Sequence, residues 1–129
     1  MPNPFRDQEK FMKACDQSVT GDTAQFDMYV NLIEEEHKEL LEALADGDEV
    51  ETLDALLDIL VVTIGAIHSM GADGEGGWKE VMKTNFAKID KETGKVRKRE
   101  DGKVLKPLGW TPPDLTPHLT KGDPYLQTK

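Results

Sequence analysis

A single cysteine, Cys15, in a chain of 129 residues leaves no intrachain disulfide to form, and a reducing, cytosolic setting is expected. The N-terminus, Met1-Pro2-Asn3-Pro4, has neither the basic start nor the apolar stretch of a signal peptide. Long apolar runs are missing too. The longest, residues 59–67, covers nine residues, well short of the roughly 20 that span a bilayer, so no membrane association is expected. Positive charge is scarce: 16 Lys and Arg stand against 25 Asp and Glu, for a net charge of −9. That balance argues against binding a nucleic-acid backbone, which calls for a basic footprint.

The little positive charge present is concentrated. Residues 83–106 hold nine of the 16 basic side chains and four acids, a local surplus of five that leaves the remainder at −14. Such a segment is either a solvated basic arm or a surface that meets phosphates.

Helical periodicity organises the first two thirds of the chain. The spacing predicts a first helix from Asp7 to about Ser18, with Phe11, Met12 and Cys15 on one side. Asp22 and Gln25 form a capping-box pattern ahead of a second helix over Thr23–Ala45. Its apolar stripe is Tyr29, Leu32, Ile33, Leu40, Ala43 and Leu44. Gly47 supplies a left-handed stop, and Asp48 with Glu51 repeats the capping pattern for a third helix over Glu49–Met70. Apolar residues from Leu53 to Ile67 cover most of that helix, as expected of a central helix. Residues 73–77 read as a loop, Trp78 to about Ile89 as a fourth helix, and Asp101-Gly102 as the turn of a short hairpin. The tail from Pro107, with Pro112, Pro113, Pro117 and Pro124, is expected to be irregular.

Against this pattern, carboxylates stand where apolar residues belong. Glu36 falls in the middle of the second helix's stripe, Glu39 on its edge beside Leu32, and Glu35 further round. Asp54 and Asp58, four residues apart, interrupt the third helix along the side of Val61, Val62 and Gly65. Packed antiparallel, the two helices bring four or five carboxylates together, and like charges that close need a counter-ion. Oxygen-only ligands without a thiolate cluster point to Mg²⁺ or Mn²⁺, which are commonly completed by substrate phosphates. Glu34 and Glu42 read as solvated, and Glu51 is explained by capping. Glu34-x-x-His37 imitates half of a di-iron motif, but neither His68 nor His118 completes it.

Residues 32–40, Leu-Ile-Glu-Glu-Glu-His-Lys-Glu-Leu, resemble the EExxE signature of the all-α nucleoside triphosphate pyrophosphohydrolases, the MazG-like and phosphoribosyl-ATP pyrophosphohydrolase-like proteins. Residues 54–62, Asp-Ala-Leu-Leu-Asp-Ile-Leu-Val-Val, are similar to the second element of the latter branch. Residues 81–88 resemble its helix carrying Asn and Lys, and residues 102–107 and 110–115 its C-terminal ending. The resemblance implies hydrolysis of a nucleoside triphosphate to monophosphate and pyrophosphate, with Glu35, Glu36, Glu39 and Asp58 matching the metal-binding or catalytic acids. Many relatives carry Glu three residues before the second-helix Asp. Here that position is Ala55, so either Asp54 substitutes or Glu51-x-x-Asp54 takes over.

The expectation is thus an all-α bundle of four to five helices, with a short C-terminal β-hairpin and a Pro-rich tail. Residues 1–90 would form the metal-binding bundle, and residues 91–129 a basic hairpin and tail of the same domain. Glu35 is the expected water-activating base, and Glu36, Glu39, Asp54 and Asp58 the ligands of Mg²⁺ or Mn²⁺. Lys83, Asn85, Lys88, Lys106 and Trp110 are the expected substrate contacts, with Trp78 a second candidate for stacking on a base. A homodimer or homotetramer would bury the surplus apolar surface, and cleansing of the nucleotide pool is a fitting role. A non-catalytic adaptor or nucleotide sensor on the same bundle is the reading from a different class.

Overall fold

The computed structural model describes residues 2–121. Four α-helices account for most of the regular structure: α1 (Pro4–Ala14), α2 (Thr23–Ala45), α3 (Glu49–Ser69) and α4 (Gly74–Phe86), followed by a 3₁₀ turn at Thr116–His118. The chain divides into two compact units. Among the described residues, the first comprises 2–74 and resumes at His118; the second is Glu75–Pro117.

In the first unit, α2 packs most extensively against α3, and α1 lies on α3. The α2 and α3 boundaries follow from their caps. Asp22 accepts a hydrogen bond from the Gln25 backbone N–H at 2.9 Å, and Asp48 accepts one from Glu51 at 3.0 Å. The expected reciprocal half of the first capping box is not made. The Gln25 amide instead donates to Ser18 O at 2.7 Å and to Ser69 Oγ at 2.8 Å, tying the α1–α2 connection to the end of α3.

The first helix begins earlier than its apolar periodicity predicts. Asn3 Oδ1 accepts from Phe5 and Arg6 N–H, and Pro4 opens the helix, where a missing N–H costs nothing. It also ends earlier, because Asp16 takes a left-handed φ of 58° and closes a Schellman motif: Gln17 N–H donates to Met12 O, and Asp16 N–H to Lys13 O. Gly47 and Gly71 serve the same purpose after α2 and α3. Residues 74–77 of the expected loop are instead the first turn of α4. Gly74 is required there by close approach, since a Cβ would lie 2.7 Å from the Phe5 ring.

Met12, Tyr29, Val62 and Ala66 form the core of the first unit, flanked by Val19, Phe26, Leu32 and Ile33. The N-terminal half of α3 is a different matter. Leu53, Leu56, Leu57 and Leu60 are each about half exposed, so the expected central helix is covered on one side only. Where the chain returns to this unit, His118 Nδ1 lies 3.2 Å from Asp73 Oδ2, and Lys121 Nζ donates to Glu9 Oε1 at 3.0 Å. The Lys121 ammonium holds the Glu9 carboxyl below its usual range.

In the second unit, the expected β-hairpin does not form. Residues 89–104 hold two isolated antiparallel bridges, Ile89 with Val96 and Lys98 with Val104, closed by turns at residues 90–94 and 99–102. Arg97, Lys98 and Arg99 offer no apolar face to pack, and a two-stranded ribbon without one is marginal. The following segment is anchored on α4: Trp110 Nε1 donates to Thr84 O at 2.7 Å, and Asp114 N–H donates to Glu80 Oε2 at 3.1 Å. It is irregular, as expected from its prolines, and Pro124 lies outside the described residues.

Candidate metal centre

The α2–α3 pairing places three carboxylates together. One oxygen from each of Glu36, Glu39 and Asp58 lies within 4.8 Å of the others. Glu36 projects from the stripe that carries Tyr29, Leu32 and Ile33, so the packing that buries the stripe also half-buries its carboxylate. Its Oε2 atom is buried and meets no hydrogen-bond partner. Burial pushes the Glu36 carboxyl up to about 7, aided by the hydrogen-bonding reach and charge of Glu39 and by the charges of Asp58 and Asp54. Burial likewise raises the Asp58 carboxyl, followed by the charges of Asp54 and Glu39.

Asp54 is exposed on α3, within hydrogen-bonding reach of Asp58, at the rim of this group. Glu35 is exposed and outside the three-carboxylate set. Glu51 is exposed in the first turn of α3, where its N–H is capped by Asp48. Ala55, where the resemblance led to an expected glutamate, is buried. His37 is not part of the three-carboxylate group.

The donor chemistry fits a hard divalent cation. All three groups offer carboxylate oxygen, with no thiolate or imidazole among them. A buried oxygen with no donor is the state a cation relieves.

The remaining expected residues lie in the second unit. The ammonium groups of Lys88 and Lys106 sit 5.0 Å and 4.9 Å from the Trp110 ring centroid, within cation–π range. Lys88 also donates to Asn85 Oδ1 at 3.1 Å. Lys83, Thr84 and residues 107–111 line an open pocket of about 340 Å³ beside this group. Sequence reasoning picked out Trp110 for stacking on a base. That the ring also gathers two lysines is not readable from spacing, because it depends on the Thr84 carbonyl fixing the indole.

Helices carrying converging carboxylates are the arrangement expected from the resemblance of residues 32–40 to the MazG-like all-α nucleotide pyrophosphohydrolases. Within that superfamily, residues 8–85 match the phosphoribosyl-ATP pyrophosphohydrolase family model, and the chain belongs to that family. No curated protein matches it. Family membership carries the general activity, pyrophosphohydrolysis of a nucleotide. No helix among the described residues is long and apolar enough to cross a membrane.

Proposed function

We propose that this chain hydrolyses a nucleoside triphosphate to the monophosphate and pyrophosphate at a Mg²⁺- or Mn²⁺-dependent centre built by Glu36, Glu39 and Asp58, with Asp54 at its rim. The observation that carries this reading is the buried, unpartnered Glu36 oxygen among converging carboxylates. Bound there, the cation would neutralise the acids, engage the phosphate oxygens and polarise the phosphorus under attack. Glu35, on the same helix and open to solvent, takes a proton from the attacking water. The new P–O bond forms at the α-phosphorus while the bond to the α–β bridging oxygen breaks, and that electron pair leaves with pyrophosphate.

Lys83, Lys88 and Lys106 have no ion pair with a described carboxylate. Their charge suits a polyphosphate, and Asn85 and Trp110 hold the ends of Lys88 and Lys106 in place. A second copy of the chain is the proposed cover for the exposed leucines of α3, giving a homodimer or a dimer of dimers. A cytosolic role in clearing unwanted nucleotides is part of this proposal, and the lone, exposed Cys15 is compatible with a reducing compartment.

The test is a panel of common and damaged triphosphates, dUTP, nucleoside diphosphates and phosphoribosyl-ATP. Each is incubated with Mg²⁺ or Mn²⁺ and its products separated by chromatography. Pyrophosphate and a monophosphate are expected. Orthophosphate as the released product would overturn the cleavage site, and survival of every substrate would favour the adaptor reading.

A further inference from the structure

Tyr29 and Glu36 are seven residues apart on α2, and Asp58 and Gly65 are seven apart on α3. Seven residues make two turns, so each pair shares one side of its helix, about 10.5 Å apart along the axis. The short turn after Ala45 makes α2 and α3 antiparallel neighbours, and the two pairs meet in the same register. Glu36 faces Asp58, and Tyr29 faces Gly65. The second contact is unusually close. A Cβ on Gly65 would stand 2.4 Å from Tyr29 Cε1, 2.6 Å from Cδ1 and 2.8 Å from Cζ. The ring cannot easily retreat, since its hydroxyl donates to Gln17 and is within hydrogen-bonding reach of Gln8 on α1. Gln17 is itself fixed by its N–H bond to Met12 O at 2.9 Å.

We propose that Tyr29 and Gly65 are positioning residues for the carboxylate centre: the ring seated on the glycine sets the α2–α3 separation, and so the distance of Asp58 from Glu36 and Glu39. This inference rests on the metal reading of that centre. The two ends of the register are linked by rigid helix, so widening the helix pair at Gly65 displaces Asp58 two turns away. Neither residue belongs to the carboxylate set, so both act on it through helix spacing alone.

Metal-free protein is titrated with Mn²⁺ and free Mn²⁺ is read by electron paramagnetic resonance, with circular dichroism and Tm recorded for every variant. Gly65→Ala is expected to weaken Mn²⁺ binding about 10-fold or more, the scale seen when support around a metal's ligands is lost. Val62→Ala, in the same core but removing bulk instead of adding it, is expected to lower Tm with little change in Mn²⁺ affinity. Adding Tyr29→Leu to Gly65→Ala removes the collision and is expected to recover most of the lost affinity. It also provides a folded variant should Gly65→Ala alone not fold. A folded Gly65→Ala protein that binds Mn²⁺ like the wild type overturns the inference. So does a folded double variant that binds none. Failure of the wild type to bind Mn²⁺ is a separate result, visible in the first titration: it removes the metal reading and this inference with it.

Discussion

Replacing Glu36 with glutamine probes the charge crowding at the centre without any substrate. In the metal-free protein the Glu36 carboxyl is pushed up to about 7 from an unfolded value of 4.5. A group raised in this way favours the folded state fully below pH 4.5, and that contribution is lost as pH rises through about 7. The raised Asp58 carboxyl acts in the same direction. For Glu36, the full displacement corresponds to about 3 kcal/mol at most. The carboxylate is only half-buried, so solvent screening reduces this to about 1–2 kcal/mol. Glutamine mimics the protonated acid in shape. Without metal, Glu36→Gln is therefore expected to melt at about the wild-type temperature at pH 5. At pH 8 it is expected to melt about 3–8 °C above the wild type. Calorimetry in a chelator at both pH values measures this. A wild-type and variant difference that is the same at pH 5 and pH 8 would refute the reasoning, because no crowded carboxylate would then be present.

The centre's other proposed ligands are expected to be needed for catalysis more than for folding. Glu39→Gln and Asp58→Asn should each reduce pyrophosphate release by about 10–100-fold with unchanged circular dichroism. Leu60→Asp places a charge on the exposed face of α3 and is expected to yield a monomer by light scattering where the wild type is a dimer or larger. Lys106→Gln removes one of the two ammonium groups over Trp110 and should raise KM for the triphosphate. It should also flatten the dependence of KM on salt.

The sequence made α2 and α3 legible to within a residue because local signals agreed there: an Asp cap at the start, a 3.6-residue stripe and a left-handed glycine just past the end. It misled at α1, whose start depends on Asn3 and Pro4 and whose stop is an aspartate in a glycine's conformation. It misled at α4 as well, where three glycines suggested a loop and one of them answers to the Phe5 ring. The hairpin signal at Asp101-Gly102 correctly marked a turn. Whether two strands form around a turn depends on an apolar face that the basic flanks do not provide. Within the candidate site, helical spacing was enough to bring Glu36, Glu39 and Asp58 together. The exposed positions of Asp54 and Glu35 could not be read from spacing alone, nor could the seating of Tyr29 on Gly65. Each depends on which faces of two helices meet and how closely.

Three carboxylates holding a divalent cation between α2 and α3 are the foundation of the proposed chemistry. Crystals grown with Mn²⁺ and measured at its absorption edge test this most directly. An anomalous peak bounded by Glu36, Glu39 and Asp58 is expected, at about 2.1–2.3 Å from their oxygens, near the distances seen for Mg²⁺. Clean density with the three side chains directed apart into water would contradict it.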